Sequence, residues 1–135
     1  MVRTPPQTIL IVDDEEPIRR LVERILNGAG YITRLASSGV DAIAVADGPE
    51  PIDLMVTDMM MPEMNGDEVA RRLRQKYPAL KVLYYTGFAD RLFDEKGTMW
   101  EDEAYLAKPS GVRGLLEAVS LLCNGNRRID VQSAQ

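Results

Sequence analysis

Four short apolar runs in this chain each end on a charged or hydroxyl-bearing residue. Ile9–Val12 leads into Asp13-Asp14, Leu54–Val56 into Thr57-Asp58, Val82–Tyr85 into Thr86, and Tyr105–Ala107 into Lys108. Runs at 8–12, 52–57, 81–85 and 104–107 are apolar and partly β-branched, as strands buried on both faces should be; Tyr31–Leu35 is a weaker fifth run. Helix-like segments and short turn signals separate them, which is the pattern of βαβ units around a parallel sheet. The expected fold is therefore α/β, a doubly wound (βα)5 with a five-stranded parallel sheet. In such a sheet the residues that end these runs gather at the carboxyl edge, where ligands of open α/β sheets bind, bringing together three carboxylates, a hydroxyl and an ammonium.

The helices are read from periodicity. Ile18, Leu21, Val22, Ile25 and Leu26 share one face at helical spacing, and Asn27-Gly28 supplies a stop. Ser37 or Ser38 caps a second helix carrying Val40, Ile43 and Ala44, ended by Asp47-Gly48-Pro49. Asn65 caps a third, with Val69, Ala70, Leu73 and Tyr77 inward and Pro78 beyond its end. The segment 90–97 is a poorer helix anchored by Leu92 and Phe93. Ser110 caps the last helix, on which Leu115, Leu116, Val119 and Leu122 recur, and the polar stretch from Asn124 reads as a frayed tail.

At 135 residues with 45% apolar content, the chain holds one ordinary core: an arm over 1–7, a domain over 8–123 and a tail over 124–135. No apolar stretch approaches the roughly 20 residues that cross a bilayer, and the first residues lack a secretory segment, so a cytoplasmic, membrane-free protein is expected. The lone Cys123 lies in an apolar helical pattern and reads as a structural thiol. A net charge of −5 disfavours nucleic acid as a direct partner. The chain has no histidine, which excludes histidine-based acid–base catalysis, a Ser-His-Asp triad and histidine-ligated zinc.

Taken singly, each edge residue has a plain structural explanation. Asp13 and Asp14 could be a helix cap and an acidic first turn, Asp58 a turn residue, Thr86 a strand end and Lys108 a surface lysine. Together at one sheet edge they form a different object. Clustered carboxylates repel unless a cation joins them, and two or three of them with room for water suit Mg²⁺ better than zinc. Lys108 could pair there with a carboxylate or a phosphoryl oxygen, and the Thr86 hydroxyl could bond the same group. Met59, Met60, Met61 and Met64 read as partial burial around this site.

In this order, Asp13-Asp14, Asp58 with Met61-Pro62 and Asn65-Gly66 after it, Thr86-Gly87, and Tyr105 followed by Lys108-Pro109 resemble the signature of receiver domains of two-component response regulators. The resemblance spans roughly residues 7–123. It implies a flavodoxin-like sheet of strand order 2-1-3-4-5. It further implies that Asp58 accepts a phosphoryl group from a partner's phosphohistidine, and that Asp13, Asp14, Asp58 and the Met60 carbonyl hold Mg²⁺. Lys108 and Thr86 would contact the phosphoryl oxygens, Thr86 and Tyr105 would form a switch pair, and the Lys108–Pro109 bond would be cis. The partners implied are a sensor histidine kinase or histidine phosphotransfer protein and a downstream effector protein. Such a domain is a signalling switch and not an enzyme acting on other molecules. Its output would be protein contact around the 90–97 helix, the Tyr105 strand and the last helix, with Arg91, Phe93, Trp100 and Arg113 as candidates.

Two other classes fit less well. A haloacid-dehalogenase-like phosphatase also uses an aspartate nucleophile and Mg²⁺, but wants a second acid two residues later, where Met60 stands. A receiver-like module that is never phosphorylated would be expected to lack one of the acids or the lysine.

Overall fold

The computed structural model describes residues 6–87, 102–108 and 110–124. Five parallel strands form one sheet: β1 Thr8–Val12, β2 Ile32–Ala36, β3 Leu54–Thr57, β4 Lys81–Thr86 and β5 Glu103–Ala107. Their order is β2-β1-β3-β4-β5, as the resemblance implied. Four helices are described, α1 Glu16–Gly28, α2 Gly39–Ala46, α3 Gly66–Leu73 and α4 Val112–Cys123. The helix expected at 90–97, together with Phe88, Arg91, Phe93, Trp100 and the Lys108–Pro109 bond, lies outside the described residues.

Both faces of the sheet are covered, which explains why its strands read as unbroken apolar runs rather than alternating ones. Leu10, Val12, Met55, Val82 and Tyr84 point to α2 and α3, and Ile9, Ile11, Leu54, Val56, Leu83 and Tyr85 point to α1 and α4. Each fully buried Ile or Leu contributes about 1.5–3 kcal/mol. Among the described residues no helix is long and apolar enough to cross a membrane.

Periodicity located the helices but misjudged some of their faces. On α1, Val22 and Leu26 are buried while Leu21 is 45% exposed, because it sits at the rim of the stripe. On α2, Val40 and Ala44 face outward and the contact is made by Gly39, Ala42 and Ala46. Small residues let this helix lie close: a Cβ on Gly39 would come within 2.9 Å of both Met64 Sδ and Val69 Cγ2. Ser38 is the cap, its hydroxyl accepting from the Asp41 amide at 3.0 Å, while Asp41 accepts from the Ser37 amide at 2.9 Å. Asn65 occupies the cap of α3 without a side-chain cap bond, and Ser110 does not cap α4, whose N-cap is Gly111.

Candidate functional site

The register sets the carboxyl ends of β1 and β3 level, with Val12 opposite Thr57, and those of β4 and β5 level, with Thr86 opposite Ala107. Strand-type backbone bonds run one residue past these ends. The Asp13 amide donates to Ala36 O at 3.2 Å, the Asp58 amide to Val12 O at 3.1 Å and the Lys108 amide to Thr86 O at 2.9 Å. Each of these three residues is thus held by the sheet while its side chain leaves the edge.

Asp13, Asp14 and Asp58 each offer an oxygen, and all three oxygens lie within 4.8 Å of one another. Asp13 and Asp58 are buried and Asp14 is exposed. The Lys108 ammonium reaches into the group, donating to Asp13 Oδ2 at 2.9 Å and Asp58 Oδ2 at 3.2 Å, with Glu15 Oε1 further off at 3.8 Å. Asp13 also accepts the Glu15 amide at 2.9 Å, and its carbonyl accepts from Arg19 at 2.7 Å. Burial pushes the Asp13 carboxyl above the usual carboxylate range, helped by the Asp58 charge and opposed by the Glu15 amide and Lys108. For Lys108, burial works to lower the ammonium's pKa, but the Asp13 and Asp58 carboxylates outweigh it and the net shift is upward.

Asp58 Oδ1 has no hydrogen-bond partner and is the one such buried side-chain atom among the described residues. A buried oxygen left unpaired costs about 1–3 kcal/mol, more for a charged group, so a cation or water bound there would relieve that cost. Three hard carboxylates around a buried acceptor fit a divalent cation of the Mg²⁺ type.

The sequence model described as "Response regulator receiver domain" matches residues 9–120. The chain belongs to that family. This receiver is 34% identical over 111 residues to the response regulator receiver protein CpdR of Brucella abortus, a match covering 82% of the chain and 92% of CpdR. It is 33% identical over 114 residues to the sensor kinase CckA of the same organism, covering 83% of the chain but only 12% of that kinase. Among solved structures, a response regulator receiver protein from Sinorhizobium medicae superposes with a TM-score of 0.80 at 32% identity, covering 90% of this chain and 98% of that one.

The other residues singled out in the sequence lie on β4, β5 and α4 and in the segment after β3. Thr86 is fully buried at the end of β4. Tyr105 stands opposite Tyr84 in the register and is 43% exposed. Met59 and Met61 are buried, and Met60 and Met64 pack partly buried against the α2–α3 side of the core. Arg113 is exposed on α4.

Three features of the site and of the segment that follows Asp58 were missed. Gly66 backs directly onto Asp58: its amide donates to Met59 O at 2.8 Å, and a Cβ there would lie 2.3 Å from the Asp58 carbonyl oxygen. Only the Asn65-Gly66 pair hinted at this. Glu63 adopts a φ of 69°, and the Met64 amide donates across it to Pro62 O at 2.8 Å, a three-residue turn that is uncommon for a side-chain-bearing residue. Tyr85, hidden inside an apolar run, meets the loop that carries Lys108. Nothing in its sequence setting sets it apart from Tyr84.

Proposed function

We propose that this receiver accepts a phosphoryl group on Asp58 from a phosphohistidine of a partner protein, a sensor histidine kinase or histidine phosphotransfer protein, and passes the signal on through altered protein contacts. The observation that carries this reading is the unpartnered, buried Asp58 Oδ1 beside two further carboxylates and the Lys108 ammonium. Asp13, Asp14 and Asp58 would hold Mg²⁺ together with the Met60 carbonyl. Bound there, the ion would neutralise charge on the transferring group and offset repulsion among the acids.

The chain's own residues then account for the chemistry. A carboxylate oxygen of Asp58 attacks phosphorus in line with the leaving imidazole nitrogen of the donor. The new O–P bond forms as the N–P bond breaks, and the imidazole departs with the bond's electron pair, to be protonated from water. Lys108, freed from its carboxylates, contacts one phosphoryl oxygen, and the Thr86 hydroxyl donates to another. Movement of Thr86 toward the phosphoryl group opens space into which Tyr105, half out in solvent here, turns inward. The domain acts as a phosphoacceptor switch in the cytoplasm, not as an enzyme on other substrates.

The test is phosphorylation by acetyl phosphate with Mg²⁺, read by mass spectrometry. One phosphoryl increment is expected on the intact chain, located at Asp58 and absent from Asp58→Asn. Equal labelling of that variant would sink the assignment. A beryllofluoride complex should alter the surroundings of Thr86 and Tyr105 most; changes limited to the Asp58 loop would reject the switch pair.

A further inference from the structure

Tyr85 precedes Thr86 on β4 and points to the opposite side of the sheet, into the cluster beneath α1 and α4, where it is 6% exposed. A tyrosine in such a place brings a hydroxyl that needs a partner. It meets the loop between β5 and α4: the Ser110 amide donates to the phenol oxygen at 3.2 Å and the Ser110 hydroxyl at 3.3 Å. The same ring lies beside the Lys108 ammonium, 5.9 Å from its centroid, at the outer limit of a cation–π contact. One side chain therefore engages the chain on both sides of residue 109, where a proline offers no amide hydrogen of its own. The Lys108 backbone is held separately by Thr86 O at 2.9 Å.

These contacts bear on the side chain of the site with the most rotatable bonds. A lysine stem rotates about several bonds and loses about 2 kcal/mol of rotamer freedom when fixed. Asp13 and Asp58 hold its ammonium before phosphoryl transfer. During transfer the ammonium must leave one of them for a phosphoryl oxygen. A neighbour that attracts the charge without competing as a hydrogen-bond acceptor keeps it in reach through that exchange. The aromatic face is such a neighbour.

We propose that Tyr85 is a positioning residue for Lys108: its ring keeps the ammonium over the acidic site, and its hydroxyl fixes the following backbone through Ser110. The proposal rests on the phosphoacceptor reading of Asp58. Among the described residues no hydrogen bond links Tyr85 to the three carboxylates, so metal affinity and transfer rate should separate.

The experiment compares wild type, Tyr85→Phe and Tyr85→Leu in the full chain. With acetyl phosphate at saturating Mg²⁺, Tyr85→Leu should be phosphorylated about tenfold more slowly, and Tyr85→Phe, which keeps the ring, should recover most of that loss. The Mg²⁺ dissociation constant should stay within about twofold in both. A metal-free readout accompanies the rates. In NMR spectra the ring should move the Lys108 ε-methylene protons upfield of those of Lys81, in wild type and Tyr85→Phe but not in Tyr85→Leu. Equal rates for wild type and Tyr85→Leu would overturn the proposal. So would Lys108 ε-protons that resonate with those of Lys81 in the wild type, a result that decides the matter even if Tyr85→Leu fails to fold. Wild type left unlabelled at Asp58 would overturn the phosphoacceptor reading instead, and the NMR contact would still judge Tyr85.

Discussion

The Lys108 ammonium donates to Asp13 Oδ2 across 2.9 Å, joining residues 95 positions apart in the chain. The contact closes the site from the β5 side and supplies the acidic group with its nearest positive charge. One ammonium cannot balance three carboxylates, however, and Asp58 keeps an oxygen with no partner. The site is thus less satisfied than the rest of the core, and a bound cation should stabilise the fold.

Addition of Mg²⁺ is expected to raise the melting temperature by mass action, since an ion held by the three gathered carboxylates would bind the folded chain and not the unfolded one. At a concentration near 100 times the dissociation constant the gain should be about 2.7 kcal/mol. Asp14→Ala should abolish this dependence. Thermal melts over a Mg²⁺ series check it, and an undiminished response in the variant would put the ion elsewhere.

Gly66→Ala should cost about 1–3 kcal/mol, because the new methyl meets backbone that cannot step aside. The clash is with Asp58 O at 2.3 Å. Gly39→Ala, where the nearest atoms at 2.9 Å belong to the Met64 and Val69 side chains, should cost less. Urea unfolding should show a lower midpoint for Gly66→Ala with the slope retained. The reverse ranking would contradict the packing described around Asp58.

At the opposite end of β5, Glu103 pairs with Arg74 at 2.8 Å, its side chain 1% exposed, and accepts from the Tyr84 hydroxyl at 3.3 Å. Burial, with Glu103 adding, holds that hydroxyl well above its ordinary pKa. Arg74→Leu would leave the carboxylate buried without its guanidinium and should destabilise by about 3–5 kcal/mol. A double variant, Arg74→Leu with Glu103→Leu, should regain much of the loss, since apolar replacement of a buried pair is often neutral. Chemical denaturation of the three proteins forms the cycle.

Burial pushes the Cys123 thiol from 9.0 up to about 11. The thiolate is the reactive form, so alkylation of the native chain should be slow at pH 8 and rise with a midpoint near 11, against about 9 in urea. Folding favours the protonated thiol, so this group's stabilisation is intact below pH 9 and is lost as the pH climbs through 11. The pH profile of iodoacetamide labelling, native against unfolded, measures both midpoints.

The site was legible because its parts are strand ends. Short apolar runs punctuated by Asp13, Asp58, Thr86 and Lys108 survive as a pattern in one dimension, and parallel pairing brings them together without further information. What stayed hidden depends on depth rather than period. Val40 and Leu21 obey helical spacing yet face outward, because close packing by Gly39, Ala42 and Ala46 and the rim position of Leu21 are set by neighbouring elements. Ser110 has the chemistry of a cap but gives its hydrogen bonds to a tyrosine on another strand. Likewise, no local signal distinguishes Tyr85 from Tyr84, although they face opposite layers.

The ladder bonds that run past the carboxyl ends of the strands have a consequence for engineering. They set Asp13, Asp58 and Lys108 by strand registry, and none of the acidic residues comes from the turns at the other rim, such as those at 48–53 and 77–80. The exposed parts of those turns, 49–51 and 78–79, can therefore be lengthened or tagged with little effect at the carboxyl rim, whereas a one-residue deletion inside β1 or β3 would swing Asp13 or Asp58 onto the wrong face.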